Sequence, residues 1–459
     1  MFARLRSVAP EYLFLLFALP AGVLLLALIP PLAGGNETYN FQRSAQLAAG
    51  KVVIQPTLLP PGLVELVTVV QAQFREGAEP PYSYKRAQFD ELAAIKLRPD
   101  QPIVAHPSPI AVLHPLAYLA QVPFMALALL AGASPLTLFY VGRAAGFLAG
   151  LALTFAAIRV APANKYLLAG FALLPPILFS RSTLDADQLS NGIAFLFIAL
   201  LCREIAGTGL TRTTRMLVLI VTAAILAQAK SAYLLVPLLA LAIPVARFRT
   251  ARSRWSFLAL ITLPGLVGSL AWMLTLRTGY FAHAEYRTWS GPVVPDQQMQ
   301  HVLSAPLEYL EVLARTIFAT PLVPRALLDF VGVFGPPVSI PAVLYPVLLV
   351  LLVSLWFFER PAERSRLHAR PTRLLAAGIA MVTVVAILTM LYLQWTRLHG
   401  EVVDGFNGRY LYPLAPLLVL LATGRGVQVR GLSAAVWLLA LGAVSVAATC
   451  WVTWQTYWA

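Results

Sequence analysis

The chain has 459 residues, 59% of them hydrophobic and only 12% charged, with a mean hydropathy of +0.74 and a net charge of +14. That balance excludes an ordinary soluble domain. The two cysteines, Cys202 and Cys450, both lie in apolar runs, which excludes a disulfide framework.

The N-terminus, MFARLR followed by an apolar run from Tyr12 to Ala33, has the form of a secretory signal. The run is longer than a signal core and many more follow, so it reads as an uncleaved first helix. Runs of spanning length recur near 12–33, 136–158, 166–181, 189–206, 215–230, 231–247, 256–276, 339–358, 374–395, 409–424 and 433–455. They predict an all-α polytopic membrane protein of about 11 transmembrane helices, forming a single transmembrane domain over 1–459. A barrel would show short alternating strands instead.

One more run, 110–132, is interrupted by Pro115 and Pro123 and flanked by Pro107, Pro109 and Pro135. The cation-rich short loops decide whether it crosses, because such loops face the cytoplasm. They are Arg4/Arg6, Arg203/Arg212/Arg215, RFRTARSR at 247–254, ERPAERSRLHARPTR at 359–373, and Arg425/Arg430. An even number of spans must separate the first of these from the second, so one run between them does not cross. Either 110–132 or the short run 166–181 would satisfy this. A broken, re-entrant 110–132 is preferred, since it puts Arg159 and Lys165 inside. The whole +14 excess then lies on the cytoplasmic side, and no nucleic-acid partner is needed to explain it. Most of the acids lie on the outer side, where chemistry that needs carboxylates would sit. The N-terminus is cytoplasmic on this reading.

The outer side carries a first loop over 34–135 with interfacial helices, a second over 277–338 with an amphipathic surface stretch at 303–330, and a short one at 394–409. The first begins GGNETYNFQRSAQLAAG (34–50). A helix over Tyr39–Ala49 would put Asn40, Arg43 and Leu47 on one side, and would set Glu37 just above the membrane surface with a cation close by. A second acidic site is the hairpin RSTLDADQLSN (181–191), with Asp185 and Asp187. Either acid also suits the cap of the following helix.

Four cations stand at membrane depth on the same side: Arg143, some two turns into its span, Arg181, Lys230 and Arg409. A cation at the bilayer centre costs about 2.5 kcal/mol or more. Four together suggest an anionic ligand such as a lipid phosphate; simple snorkelling is the plainer alternative. Gly142, Gly146 and Gly150 read as a helix-packing stripe. His106 and His114 fit no zinc spacing, and His283, His301 and His399 are scattered, so no metal site is assigned. No phosphate-binding glycine loop, HExxH or GxSxG motif occurs, which argues against a nucleotide-driven pump or a serine hydrolase.

The order of these features resembles the GT-C superfamily of glycosyltransferases, and more closely the bacterial domain-of-unknown-function family DUF2142. That family's acidic motif after the first helix is similar to GNETYN and Arg43, with Glu37 on the family's Glu. The segments HPSPIAVLHPLAYLAQ, FYVGRAAGFLAG and LLPPILFSRSTLDADQLSN resemble its later motifs, as do Lys230–Tyr233 and Gly408–Arg409–Tyr410. Asn36 stands where the family has Asp, and Asn40 where it has His. The resemblance implies a GT-C-like fold in a bacterial inner membrane. It implies transfer of a sugar, with inversion, from a polyprenyl-phosphate donor to a cell-surface glycan or lipid-linked acceptor, on the extracytoplasmic side. Glu37 would be the general base, assisted by Asp187 or Asp185. Lys230, Arg409, Arg43, Arg181 and Arg143 would bind the donor phosphate, and Asn36, Tyr39, Asn40, His106 and Tyr410 would contact substrate. No cofactor is implied, although Asp185 and Asp187 could hold a divalent cation. A glycan polymerase or ligase fits almost as well. A lipid-linked sugar transporter or flippase fits less well, because it would show midplane charges and matching halves.

Overall fold

The computed structural model describes residues 8–73, 82–106, 108–207, 211–278, 287–288, 291–335, 338–359, 366–422, 424–429 and 432–459. Arg4, Arg6, Pro107, His283, Arg360, Arg364 and Arg430 lie outside the described residues.

Prolines open many of the helices, because the first turn needs no N–H from them. Helix α1 (Pro10–Leu28) leads to α2 (Glu37–Ala48), then to α3 (Pro61–Gln73) and α4 (Arg86–Ala93). Residues Thr57–Leu59 pair antiparallel with Ile103–Ala105 and close the base of this loop. The run 110–132 breaks at its prolines into Pro109–Val112, Pro115–Tyr118 and α5 (Val122–Leu130), none long enough to cross a membrane.

Helix α6 (Pro135–Val160) starts at a Ser134 cap, whose hydroxyl accepts the Thr137 N–H. The run 166–181 is not one helix. Pro175 and Pro176 divide it into α7 (Lys165–Ala172) and α8 (Pro175–Arg181). Next come α9 (Asp187–Ala206) and α10 (Thr213–Ala229). The run 231–247, expected as an α-helical span, is instead a 3-10 helix over Ser231–Ala242 with Pro237 inside it. Pro244 then opens a short turn at Val245–Arg247.

The remainder comprises α11 (Ala251–Thr278), the surface helices α12 (Pro295–Ser304), α13 (Pro306–Ala314) and α14 (Leu322–Gly332), then α15 (Leu344–Phe358) and α16 (Arg370–Gln394). The last span region begins as a 3-10 helix, Gly408–Leu414, that runs into α17 (Ala415–Leu421); α18 (Ala434–Tyr457) ends the fold. The protein is therefore membrane-embedded and mostly helical. Among the described residues, α1, α6, α9, α11, α16 and α18 are long and apolar enough to cross. Shorter apolar helices occupy 213–229, 231–242, 344–358 and 408–421. The amphipathic stretch expected at 303–330 is present: Leu303, Leu307, Leu310, Phe318 and Leu327 are all exposed along α12–α14.

Helix α9 is the hub. Its apolar window is 78% buried, against 22% for α11, the least buried of the long apolar helices among the described residues. Helix α6 packs on α9 through the glycine stripe: a Cβ on Gly146 would meet Gln188 Oε1 at 1.7 Å. At the far end of α9, Glu204 pairs with Arg215 at 2.7 Å and Arg247 at 2.5 Å. On that same face Glu359 accepts the Tyr166 and Leu167 N–H groups at the start of α7, and burial pushes its carboxyl up to about 7.

Three segments begin together at the opposite face: α9 at Asp187, the 3-10 helix after Lys230, and the 3-10 helix at Gly408. Helix α14 seals this end, with Asp329 accepting the Gly408 N–H. A Cβ on Gly408 would stand 2.3 Å from the Ala326 carbonyl oxygen and 2.6 Å from Phe330 N. Backbone cannot yield as a side chain does, so Gly408→Ala is expected to cost about 1–3 kcal/mol. A thermal-unfolding midpoint several degrees below wild type in detergent would show it; an unchanged midpoint would refute the contact.

Candidate functional site

Helix α2 positions the first acid. Its N-cap, Asn36, takes a left-handed conformation (φ 64°), and its carbonyl accepts from the Asn40 backbone and side-chain N–H groups. The turn drives Glu37 inward, where it is fully buried. Glu37 Oε1 accepts from Arg143 Nε at 2.9 Å and Leu184 N at 2.5 Å. Its Oε2 accepts from Arg143 Nη2 at 2.7 Å and Gly34 N at 2.9 Å. A carboxylate offers about four acceptor positions, so the acid expected to be the base has none uncommitted. Arg143 is equally engaged: besides Glu37 it donates to the Leu26, Ile29 and Pro30 carbonyls that end α1. This pair fastens α1, α2, α6 and the 182–186 hairpin together.

The second acidic site is different. Asp185 and Asp187 flank Ala186 at the head of α9. Asp187 forms an ion pair with Lys230. Asp185 Oδ1 accepts the Asp187 N–H at 3.1 Å, and its other oxygen has no hydrogen-bond partner among the described residues. The charges facing Asp185 are Asp187, Arg409 and Lys230; burial, then the neighbouring Asp187 charge, pushes its carboxyl up to about 6 against the pull of those cations. The Tyr410 ring lies between the cations, 5.2 Å from Lys230 Nζ and 5.6 Å from the Arg409 guanidinium. Tyr233 donates its O–H to the Tyr410 carbonyl at 2.8 Å and ties the two 3-10 segments together. Arg409 Nε is buried with no partner among the described residues.

The α2 face carrying Asn40, Arg43 and Leu47 forms the adjoining wall. Asn40 Oδ1 accepts the Ala186 N–H at 3.4 Å. Leu47 packs in one cluster with Ala117, Tyr118, Ala186 and Ala229. Arg43, one turn from Asn40, is fully buried and, among the described residues, donates only from Nη2, to the Val52 carbonyl at 3.0 Å, leaving Nε and Nη1 without a partner. Burial lowers its pKa to about 10. His114, held below the ordinary imidazole range by burial and the Arg43 charge, accepts the Leu116 N–H at Nδ1.

The structure thus brings Asp185, Asp187, Lys230, Arg409, Tyr410, Asn40 and Arg43 together. It does not bring Arg143 or Arg181 to them. Arg181 turns away toward Ala172 O, Thr154 and the Phe14 ring. His106 is exposed and only its carbonyl is used, by Gln46. Tyr39 is partly exposed, and its carbonyl accepts from the Ser108 hydroxyl. Among the described residues, no three His, Cys, Asp or Glu side chains group as metal ligands would. Sequence reasoning alone misses Tyr118. Its buried hydroxyl, without a partner among the described residues, faces Arg43 and both acids, and only its place after the Pro115 break could have drawn attention to it.

A family model described as a predicted membrane protein, DUF2142, matches residues 19–418. No curated protein and no solved structure matches the chain.

Proposed function

The chain belongs to the DUF2142 family of predicted membrane proteins, and from that premise we propose that it is a GT-C-like glycosyltransferase using a polyprenyl-phosphate sugar. It crosses a bacterial inner membrane about eleven times, with the acid–cation cluster on the outer side. One observation carries the reading: two buried carboxylates face Lys230 and Arg409 where three descending segments begin. Helix N-termini and fixed cations favour an anion there.

The chemistry follows from that arrangement. The acceptor hydroxyl oxygen attacks the anomeric carbon. The bond from that carbon to the phosphate oxygen breaks, and the phosphate leaves with the electron pair. The free oxygen of Asp185 takes the hydroxyl proton, since a base works best with a pKa near the working pH. Lys230 and Arg409 neutralise the charge that develops on the leaving phosphate. Asp187 holds Lys230 in place until the phosphate competes for it. Glu37 and Arg143 fix the hairpin that presents the acids. The scheme conserves charge locally: the phosphate gains one negative charge as the carboxylate loses its own to the proton.

The direct test is transfer of labelled sugar from polyprenyl phosphate in nanodiscs, with a membrane-glycan extract as acceptor. Lys230→Met is expected to lower the rate about 10²–10³-fold. Wild-type transfer by that variant at equal protein level would dismiss the reading. Orientation has its own test. A cysteine placed at exposed Asp90 is expected to react with an impermeant maleimide in intact cells, and one at Arg252 only after lysis. The reverse pattern would put the cluster on the wrong side for a lipid-carried sugar.

A further inference from the structure

Arg43 stands apart from the other cations. Asp185 and Asp187 face Lys230 and Arg409, whereas Arg43 is faced by Tyr118 and His114. Its place is fixed by packing: Asn40 on one side is bonded to Ala186, and Leu47 on the other packs against Tyr118, Ala186 and Ala229. Tyr118 is near both Arg43 and the acid pair. Two nitrogens of a fully buried guanidinium and a fully buried phenol hydroxyl therefore have no partner among the described residues. Buried polar groups in proteins are almost always satisfied, and a charged one is costly to leave bare. No acid of this chain is paired with Arg43 among the described residues, while Glu37 and Asp187 each have a cation of their own. Arg43 is covered by the segment 51–56, which is largely exposed and holds it by the single bond to Val52.

We propose that Arg43 and the Tyr118 hydroxyl form a second oxyanion subsite, distinct from the donor-phosphate cations. It takes an acidic group, carboxylate or phosphate, carried by the acceptor. The assignment of this group to the acceptor rests on the transfer reading above; the existence of the subsite does not. A guanidinium and a hydroxyl both donate to an oxyanion, and a charge-assisted bond is the strongest kind available. Ligand entry displaces the 51–56 segment and replaces the Val52 contact. With the acceptor's acidic group held there, its hydroxyl is presented to Asp185.

The experiment uses the full-length protein in nanodiscs, with the thermal midpoint followed against glucuronate and against inorganic phosphate at constant ionic strength. Lys230→Met serves as background to weaken the donor-phosphate cations, and the dependence of the response on Arg43 and Tyr118 assigns it to the second subsite. Either or both anions are expected to raise the midpoint saturably in that background. Arg43→Gln is expected to weaken the response tenfold or more, and Tyr118→Phe about tenfold, as the loss of charge-assisted hydrogen bonds implies. A response to glucuronate alone identifies a carboxylate, and one to phosphate alone a phosphate. Farnesyl phosphate is expected to leave the response intact. Its competitive removal by farnesyl phosphate would return Arg43 to the donor site and overturn the proposal. So would an unchanged response in Arg43→Gln and Tyr118→Phe, or no response in the Lys230→Met background. Should Arg43→Gln fail to fold, Arg43→Lys with Tyr118→Phe decides in the same way. Full sugar transfer by Lys230→Met would sink the transfer reading while leaving this binding result standing.

Discussion

Asp185→Asn is expected to lower sugar transfer about 10²–10⁴-fold, the usual worth of a positioned general base, with folded protein at the wild-type level. The reasoning begins with bonding. Glu37 has spent its acceptor capacity on Arg143, Leu184 and Gly34, and Asp187 is paired with Lys230. Asp185 keeps an oxygen without a partner among the described residues and, unlike Asp187, has no ion pair of its own. Burial beside Asp187 holds its carboxyl up to about 6, so kcat/KM is expected to rise with pH through about 6 and level off above it. The residual activity of Asp185→Asn should lack that limb. Stability moves the other way. The raised pKa means that the folded state binds this proton more tightly than the unfolded chain does. Stability therefore falls as pH rises from 3.8 to about 6 and is level above. Removing the charge should leave the protein at least as stable at neutral pH, so lost activity is not lost fold. A variant that keeps the wild-type rate, or keeps the acid limb, removes Asp185 from the role.

Much of this arrangement was legible in the chain, and the reasons differ by residue. Length and apolarity mark spans directly, because the bilayer sets both. Hence the long helices fall where the hydrophobic runs do. The prolines at 109, 115 and 123 broke the 110–132 run as their missing N–H groups require. The same rule applies to Pro175, Pro176 and Pro237, yet those runs read as continuous spans in the sequence because their apolarity is unbroken. The shared face of Asn40, Arg43 and Leu47 is a consequence of helical spacing, and the packing of Asn40 and Leu47 on Ala186 bears it out. Which cation pairs with which acid is not a property of spacing. Glu37 and Arg143 are 106 positions apart and Asp187 and Lys230 are 43 apart, so only the packing of α2, α6, α9 and α10 decides those partners. In the sequence Arg143 and Arg181 group with Lys230 because all three stand at membrane depth on the same side. Direction was missing: their side chains run into the helix bundle, toward the end of α1 and toward Thr154.

The Glu37–Arg143 pair yields the largest expected effect on folding. Both side chains are completely buried and joined by two bonds. Removing one partner of such a pair leaves an uncompensated charge and costs about 3–5 kcal/mol. Glu37→Gln is therefore expected to unfold at a markedly lower temperature and to give less monodisperse protein on size exclusion. Arg143→Met should be at least as damaging, because the Leu26, Ile29 and Pro30 carbonyls lose their donor as well. Combining the two changes should cost less than their sum, since each single variant strands the charge that the double removes. The two candidate roles for Glu37 separate on this measurement. A base acts only during transfer, so its amide variant would fold and melt like wild type while transferring a hundredfold less. A fastening residue loses stability first, and the fraction that still folds retains transfer because Asp185 keeps its free oxygen. Normal melting with lost transfer in Glu37→Gln would return the proton to Glu37 and leave the 185–187 hairpin as its support.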